Sequence, residues 1–120
     1  MSFTDQLQSV VSQVDGALAC SIMGFDGIAV ETHQVANSGD LDLGTAWIEL
    51  ATVLTQLKAA AEQLKAGSIS EVSINTDKLT AVLRPISSEY FLVLALRPDG
   101  NFGKGRYALR IAAPKVRAEL

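Results

Sequence analysis

A chain of 120 residues, 48% of them hydrophobic, carries enough apolar mass to bury the core of one domain without metals or disulfides. Cys20 is the single cysteine; it excludes an intrachain disulfide, and its place in the run ALACSIM reads as a buried structural thiol in a reducing, cytoplasmic setting. The net charge of −3 and the lack of a basic-aromatic motif disfavour nucleic acid, and the polar start MSFTDQ and the short apolar runs predict neither secretion by a signal peptide nor membrane insertion.

Charge is divided unevenly. Residues 1–77 hold ten acids against Lys58 and Lys65, net −8, whereas residues 78–120 hold eight bases against Glu89, Asp99 and Glu119, net +5. Such asymmetry fits either a solvated basic face or a surface for an acidic partner.

From Phe3 to Val14, the residues Phe3, Leu7, Val10, Val11 and Val14 recur at helical spacing, and Gly16 ends the helix. Ala17 to Met23 is a continuous apolar run of strand length, expected to be buried on both faces. Ile28 to Val35 returns with Glu31, His33 and Gln34 and reads as an edge strand. Between them, Asp26-Gly27 predicts a type I′ hairpin turn, because both central positions of that turn need positive φ. In that frame Phe25 and Ile28 are paired and project from one face as an apolar knob beside Asp26. Either the first or last helix covers this knob, or a partner does.

After the loop VANSGD, Asp40 or Asp42 can cap a long helix running to Lys65 or Ala66, with Gly67 placed to end it. Leu43, Trp47, Leu50, Leu54, Leu57, Ala61 and Leu64 alternate spacings of four and three, and Ala46, Val53 and Ala60 form a second stripe seven apart. One stripe can face a sheet and the other a second helix, so a homodimer is expected. Three strands follow at Ser68–Asn75, Leu79–Ile86 and Glu89–Arg97, with turns at residues 76–78 and 87–88. The run Tyr90–Leu96 reads as the sheet centre and Ser68–Asn75 as an exposed edge. A last helix begins after PDGN, and Pro114 should bend or stop it. The order is α-β-β-α-β-β-β-α, one domain over residues 1–120.

No constellation for catalysis emerges. Gly103-Lys-Gly-Arg-Tyr-Ala108 matches G-x-G-x-x-A, but a dinucleotide fold needs a further strand and a distal acid, so the glycines read as turning the chain into its last helix. His33 lacks a second histidine or nearby cysteine for metal binding or nucleophilic chemistry. Asp40 and Asp42 read as a cap and a helix-dipole contact. Arg106, Arg110 and Arg117 fall near one face of the last helix, where they could meet phosphate or carboxylate or simply be solvated. No enzyme activity and no cofactor are expected.

This element order, with Gly24-Phe-Asp-Gly-Ile-Ala-Val30 as a first hairpin and Asn101-x-Gly103-x-x-Arg106 entering the last helix, resembles the roadblock/dynein light chain family over nearly the whole chain. Within the family it is similar to the bacterial polarity proteins of gliding bacteria. The resemblance implies an α/β fold of α+β type: a five-stranded antiparallel sheet between one long helix and two terminal helices. It also implies a homodimer built from the long helix and the third strand, which assigns Ala46, Trp47, Leu50, Val53, Leu54, Leu57, Ala60, Ile69 and Val72 to the dimer contact. Its functional implication is a cytoplasmic, non-enzymatic adaptor, recruited to cell poles, that binds an MglB-like GTPase-activating protein and through it influences a Ras-like small GTPase in cell polarity and gliding motility. Phe25, Asp26 and Ile28, away from that dimer contact, are then the candidate partner site. Direct action on the GTPase is the alternative. A small-molecule sensor comes third, because the strand interiors offer few convergent polar groups.

Overall fold

The computed structural model describes residues 2–37 and 39–120. In chain order its elements are α1 (Phe3–Gln13), β1 (Ala17–Gly24), β2 (Ala29–Gln34), α2 (Leu43–Gln63), β3 (Val72–Asn75), β4 (Thr80–Pro85), β5 (Tyr90–Leu96) and α3 (Phe102–Glu119). Ser38, in the loop before α2, lies outside the described residues. The strands form one antiparallel sheet in the order β2-β1-β5-β4-β3. The apolar run of β5 is therefore central, and the polar strands β2 and β3 are the two edges.

Alternation along the strands divides the core between two faces. From β5, Leu92, Leu94 and Leu96 turn toward α1 and α3, where they meet Leu7, Val10, Leu109 and Val116. Phe91, Val93 and Ala95 turn the other way, toward Leu43, Trp47, Ala51 and Leu54 of α2. Each helix starts on a side-chain cap. Ser2, Asp42 and Asn101 accept from the backbone N–H of Asp5, Gly44 and Lys104 at 3.1, 3.0 and 3.1 Å, which satisfies donors the first turn would leave open.

Several boundaries differ from expectation, each for a local reason. α2 is ended by Lys65, not Gly67: Lys65 adopts φ 56°, its N–H donates to the Glu62 carbonyl, and the Ala66 N–H donates to Ala61. This is a Schellman closure with a lysine in the left-handed position that glycine usually takes. β3 is half the expected length because β4 offers it too few donors. The Ile86 N–H points to Tyr90 of β5, so by alternation the N–H of residue 85 would face β3, and residue 85 is a proline. Pairing with β4 accordingly begins at Val72↔Leu83, and residues 68–71 have no strand partner.

Pro114 does not stop α3, which continues to Glu119. The proline is exposed, so the lost donor falls on the solvent side, where water can satisfy the freed carbonyl. Gly103 and Gly105 do not turn the chain into the helix either; both lie within its first turns. A Cβ on Gly105 would sit 3.1 Å from Leu94 and 3.3 Å from Leu96, so this glycine permits close approach of α3 to the sheet.

Candidate interaction surface

α2 is a 21-residue helix laid on one face of a five-stranded sheet. Its helical period sends Leu43, Trp47, Ala51 and Leu54 into the core, and Lys58 and Ala61 continue that line half-buried. Successive residues rotate by about 100° on a 3.6-residue helix, so a strict heptad pattern drifts across the surface along 21 residues. The seam read from sequence is split by this drift. Leu57 is 38% and Leu64 77% exposed, whereas Trp47 and Leu54 are buried.

What remains outward is a second seam: Ala46, Leu50, Val53, Leu57, Ala60 and Leu64, spaced four and three in alternation. Val53 is 40% exposed, Ala60 is exposed, and Ala46 and Leu50 are half-buried. Trp47 and Leu54, expected at a dimer contact, instead fill the chain's own core and are not available to a partner. Ala51 is the core residue the sequence reading passed over; it sits four residues from Trp47 and three from Leu54 on the same face.

On the same side of the sheet as α2, β3 leaves an open edge. Val72 and Ile74 are half-buried against the α2-side core, and Ile69 lines a cleft of about 810 Å³ with Pro85, Ile86 and the end of α2. One helix about 10 Å across cannot cover a sheet whose five strands, spaced about 4.8 Å, span about 19 Å. The outward seam and the half-covered residues of β3 lie on the same side of the sheet.

The first hairpin differs from the expected geometry by one residue. The Gly27 N–H donates to the Gly24 carbonyl at 3.0 Å, and the Gly24 N–H donates to Ile28 at 2.8 Å. Phe25 and Asp26 are therefore the central residues, and Gly27 follows at φ +88° in a three-residue loop. Asp26 Oδ1 accepts from the Ile28 N–H at 3.0 Å, which holds the loop closed from within. Because the frame shifts, Phe25 and Ile28 do not form a common knob. Phe25 is half-buried, its ring 5.2 Å from that of Phe91 and beneath the Lys58 ammonium at 3.9 Å. Its cover comes from α2 and β5, not from either terminal helix. Ile28 is 67% exposed, and Asp26 stands exposed beside it.

The single cysteine and the single histidine meet across the β1–β2 ladder, but the thiol is not activated. Burial pushes the Cys20 thiol up to about 12, so it stays protonated and unreactive. His33 is half-buried opposite Cys20 across the β1–β2 ladder. Among the described residues no cluster of His, Cys, Asp and Glu could hold a metal ion, and no helix is long and apolar enough to cross a membrane.

No family model and no curated protein sequence matches the chain; solved structures do. A Roadblock/LC7 domain from Streptomyces avermitilis superposes with a TM-score of 0.84 at 12% identity, over 99% of this chain and 98% of the other. MglB in a tetrameric arrangement gives 0.83 at 16% identity, over 95% and 84%. Both support the fold alone. The crystal structure of MglC from Myxococcus xanthus is 64% identical over the whole of both chains, with a TM-score of 0.73. With the sheet order, the two terminal helices on one face and the long helix on the other already established, that identity shows that the chain belongs to the roadblock/dynein light chain family, beside MglC.

Proposed function

We propose that the chain is a homodimeric, non-enzymatic adaptor that binds an MglB-like roadblock protein within a Ras-like small-GTPase circuit of cell polarity and motility. The observation that supports it best is the outward seam Ala46, Leu50, Val53, Leu57, Ala60 and Leu64, together with the unpaired edge of β3. A water-facing heptad stripe with alanines at two positions allows close approach of a second copy's helix, and β3 can be extended by a second copy's strand. A C2 contact brings each surface against its own copy. The kinship with MglC and the fold shared with MglB support the Mgl setting.

The hairpin is the heterologous contact. Ile28 is its exposed apolar residue and Asp26 its charge, able to meet a basic side chain on the partner. Phe25 acts from behind, bracing the loop against Phe91 and Lys58.

Light scattering of wild type and Val53→Glu at micromolar concentration tests the dimer. The wild type is expected at twice the monomer mass, and the variant, with an unpaired charge on the seam, at the monomer mass with a native circular dichroism spectrum. A monomeric wild type refutes the proposal. Replacing Asp26 and Ile28 with alanine should abolish binding to an MglB-like partner while leaving that mass unchanged.

A further inference from the structure

The basic half of the chain converges on a trench between α3 and the β3–β4 edge, on the face of the sheet opposite to the one where Phe25 of the first hairpin packs. A cavity of about 260 Å³ is lined by Glu71, Arg84, Gly103, Arg106, Tyr107 and Arg110. A second depression continues it past Ile86, Ala113 and Pro114 to Arg117, sharing Arg84 and Arg110. The floor is apolar, since Ile86 and Ala113 are buried, while Tyr107 stands 47% exposed on the rim, flanked by Lys104 and Arg110 at 5.2 and 5.5 Å from its ring.

The trench already displays what it recognises. Arg106 holds the Glu71 carboxylate with a two-pronged contact, Nε at 3.0 Å from both oxygens and Nη2 at 2.7 Å from Oε2. The arginine fork matches a carboxylate in this geometry better than a point cation would. Glu71 is held below the usual carboxylate range, first by the Arg106 hydrogen bonds and further by the charges of Arg106, Arg84 and Arg110. One carboxylate cannot neutralise three arginines. Arg84, Arg110 and Arg117 have no ion-pair partner among the described residues.

We propose that this trench is a docking site for a carboxylate-rich segment of a partner protein, with aspartates or glutamates at Arg84, Arg106, Arg110 and Arg117 and apolar side chains against Tyr107 at one end and Ile86 and Ala113 at the other. The spacing fits. Arg106 and Arg110 are one turn apart, about 6 Å along the helix, close to the repeat of alternate residues in an extended strand, about 6.6 Å. A bilayer surface cannot enter a trench whose floor lies between a helix and a strand edge, and a chain of net charge −3 is a poor general binder of nucleic acid. Glu71 acts as a resident competitor for Arg106, so an incoming acid exchanges with it instead of filling an empty place. This surface lies on the α3 side of the sheet, opposite α2 and the hairpin ring, and meets the cleft at β3 only at Pro85, Ile86 and Arg117, so its failure would leave the α2 contact of the dimer untouched.

Fluorescence anisotropy of a short labelled peptide of glutamates interspersed with phenylalanines, at low ionic strength, tests the assignment. Saturable binding is expected, weakened roughly tenfold by Arg84→Glu with Arg110→Glu and tightened severalfold by Glu71→Gln, which frees Arg106. The single variant Arg110→Ala, at an exposed position, should weaken binding without moving the melting temperature, which separates loss of the site from loss of the fold. Failure of the peptide to saturate, indifference to the arginine changes, or no tightening by Glu71→Gln would overturn the proposal. Preference of the wild type for phosphatidylserine vesicles or oligouridylate over the peptide would overturn it equally.

Discussion

The two faces of the sheet are covered very differently. On one, α1 and α3 lie side by side over the fully buried Leu7, Val10, Leu109 and Val116, with Phe3, Ala17, Tyr90 and Phe102 half-covered at the margins. On the other, α2 lies alone, and Phe25, Leu50, Val72, Ile74 and Leu79 are left half-covered around its margins. On the first face two helices supply most of the cover from the chain itself. A face left ajar can be completed by another molecule, and the apolar seam on α2 and the open β3 edge both belong to it.

The sharpest way to break this contrast is to separate the inner from the outer line of α2. Trp47→Ala empties a buried site and should cost about 3–5 kcal/mol, seen in denaturant melts of the protein as monomer or dimer alike. Val53→Glu, two turns away on the outer line, should leave the monomer fold intact. Equal loss of fold from both would mean that the two lines are one core.

The hairpin draws the same line on a smaller scale. Phe25→Ala loses a ring pair and its cover by Lys58 and should cost about 2 kcal/mol, whereas Ile28→Ala should stay within about 0.5 kcal/mol. Thermal melts of the two single variants, each at the same concentration, would check it. A costly Ile28→Ala would place Ile28 in the core and remove it from the docking reading.

Smaller still is the end of α2. Lys65 carries a left-handed backbone, so Lys65→Gly should stabilise the chain by up to about 1 kcal/mol, read as a rise in melting temperature. A fall would mean that the lysine side chain holds the margin of the half-covered face.

The smallest effect concerns the trench side. The Glu71 carboxyl is depressed in the folded chain, so the stability it contributes is present above its ordinary value, about 4.5, and disappears as pH falls through the lower folded one. In Glu71→Gln that part of the acid-side slope should vanish, leaving stability flatter with pH below about 4.5 and slightly lower at neutral pH. An unchanged acid slope would show that Arg106 does not hold the carboxylate in solution.

Much of the architecture was legible in residue order. The period of the apolar residues identified α1 and α2, the apolar runs identified β1 and β5 as inner strands, and Asp40 and Asp42 bracketed the start of α2, which Asp42 caps, because these signals are local: they depend on side-chain spacing and on donors within one helical turn. The errors arose where one residue of register or one distant neighbour decides. Asp26-Gly27 favours a two-residue turn on its own, but the ladder to β5 and the pairing of Gly24 with Ile28 shift the turn to Phe25-Asp26. No local pattern links Phe25 to Lys58 or Glu71 to Arg106, since these pairs lie 33 and 35 residues apart and meet only after the sheet has formed.

The sequence by itself determined the number and order of the elements, the polar edges of the sheet and the burial of Cys20, all of which follow from the hydrophobic pattern. Tertiary structure decided which side of α2 faces inward, because a heptad pattern on a 3.6-residue helix contains two apolar lines and only contact with the sheet selects between them. It also decided where β3 begins, through the missing donor of Pro85 on the neighbouring strand. The same is true of the arginines: they are scattered from Arg84 to Arg117, and they become one trench because antiparallel pairing brings β4 and α3 alongside each other, with the Glu71 carboxylate between them.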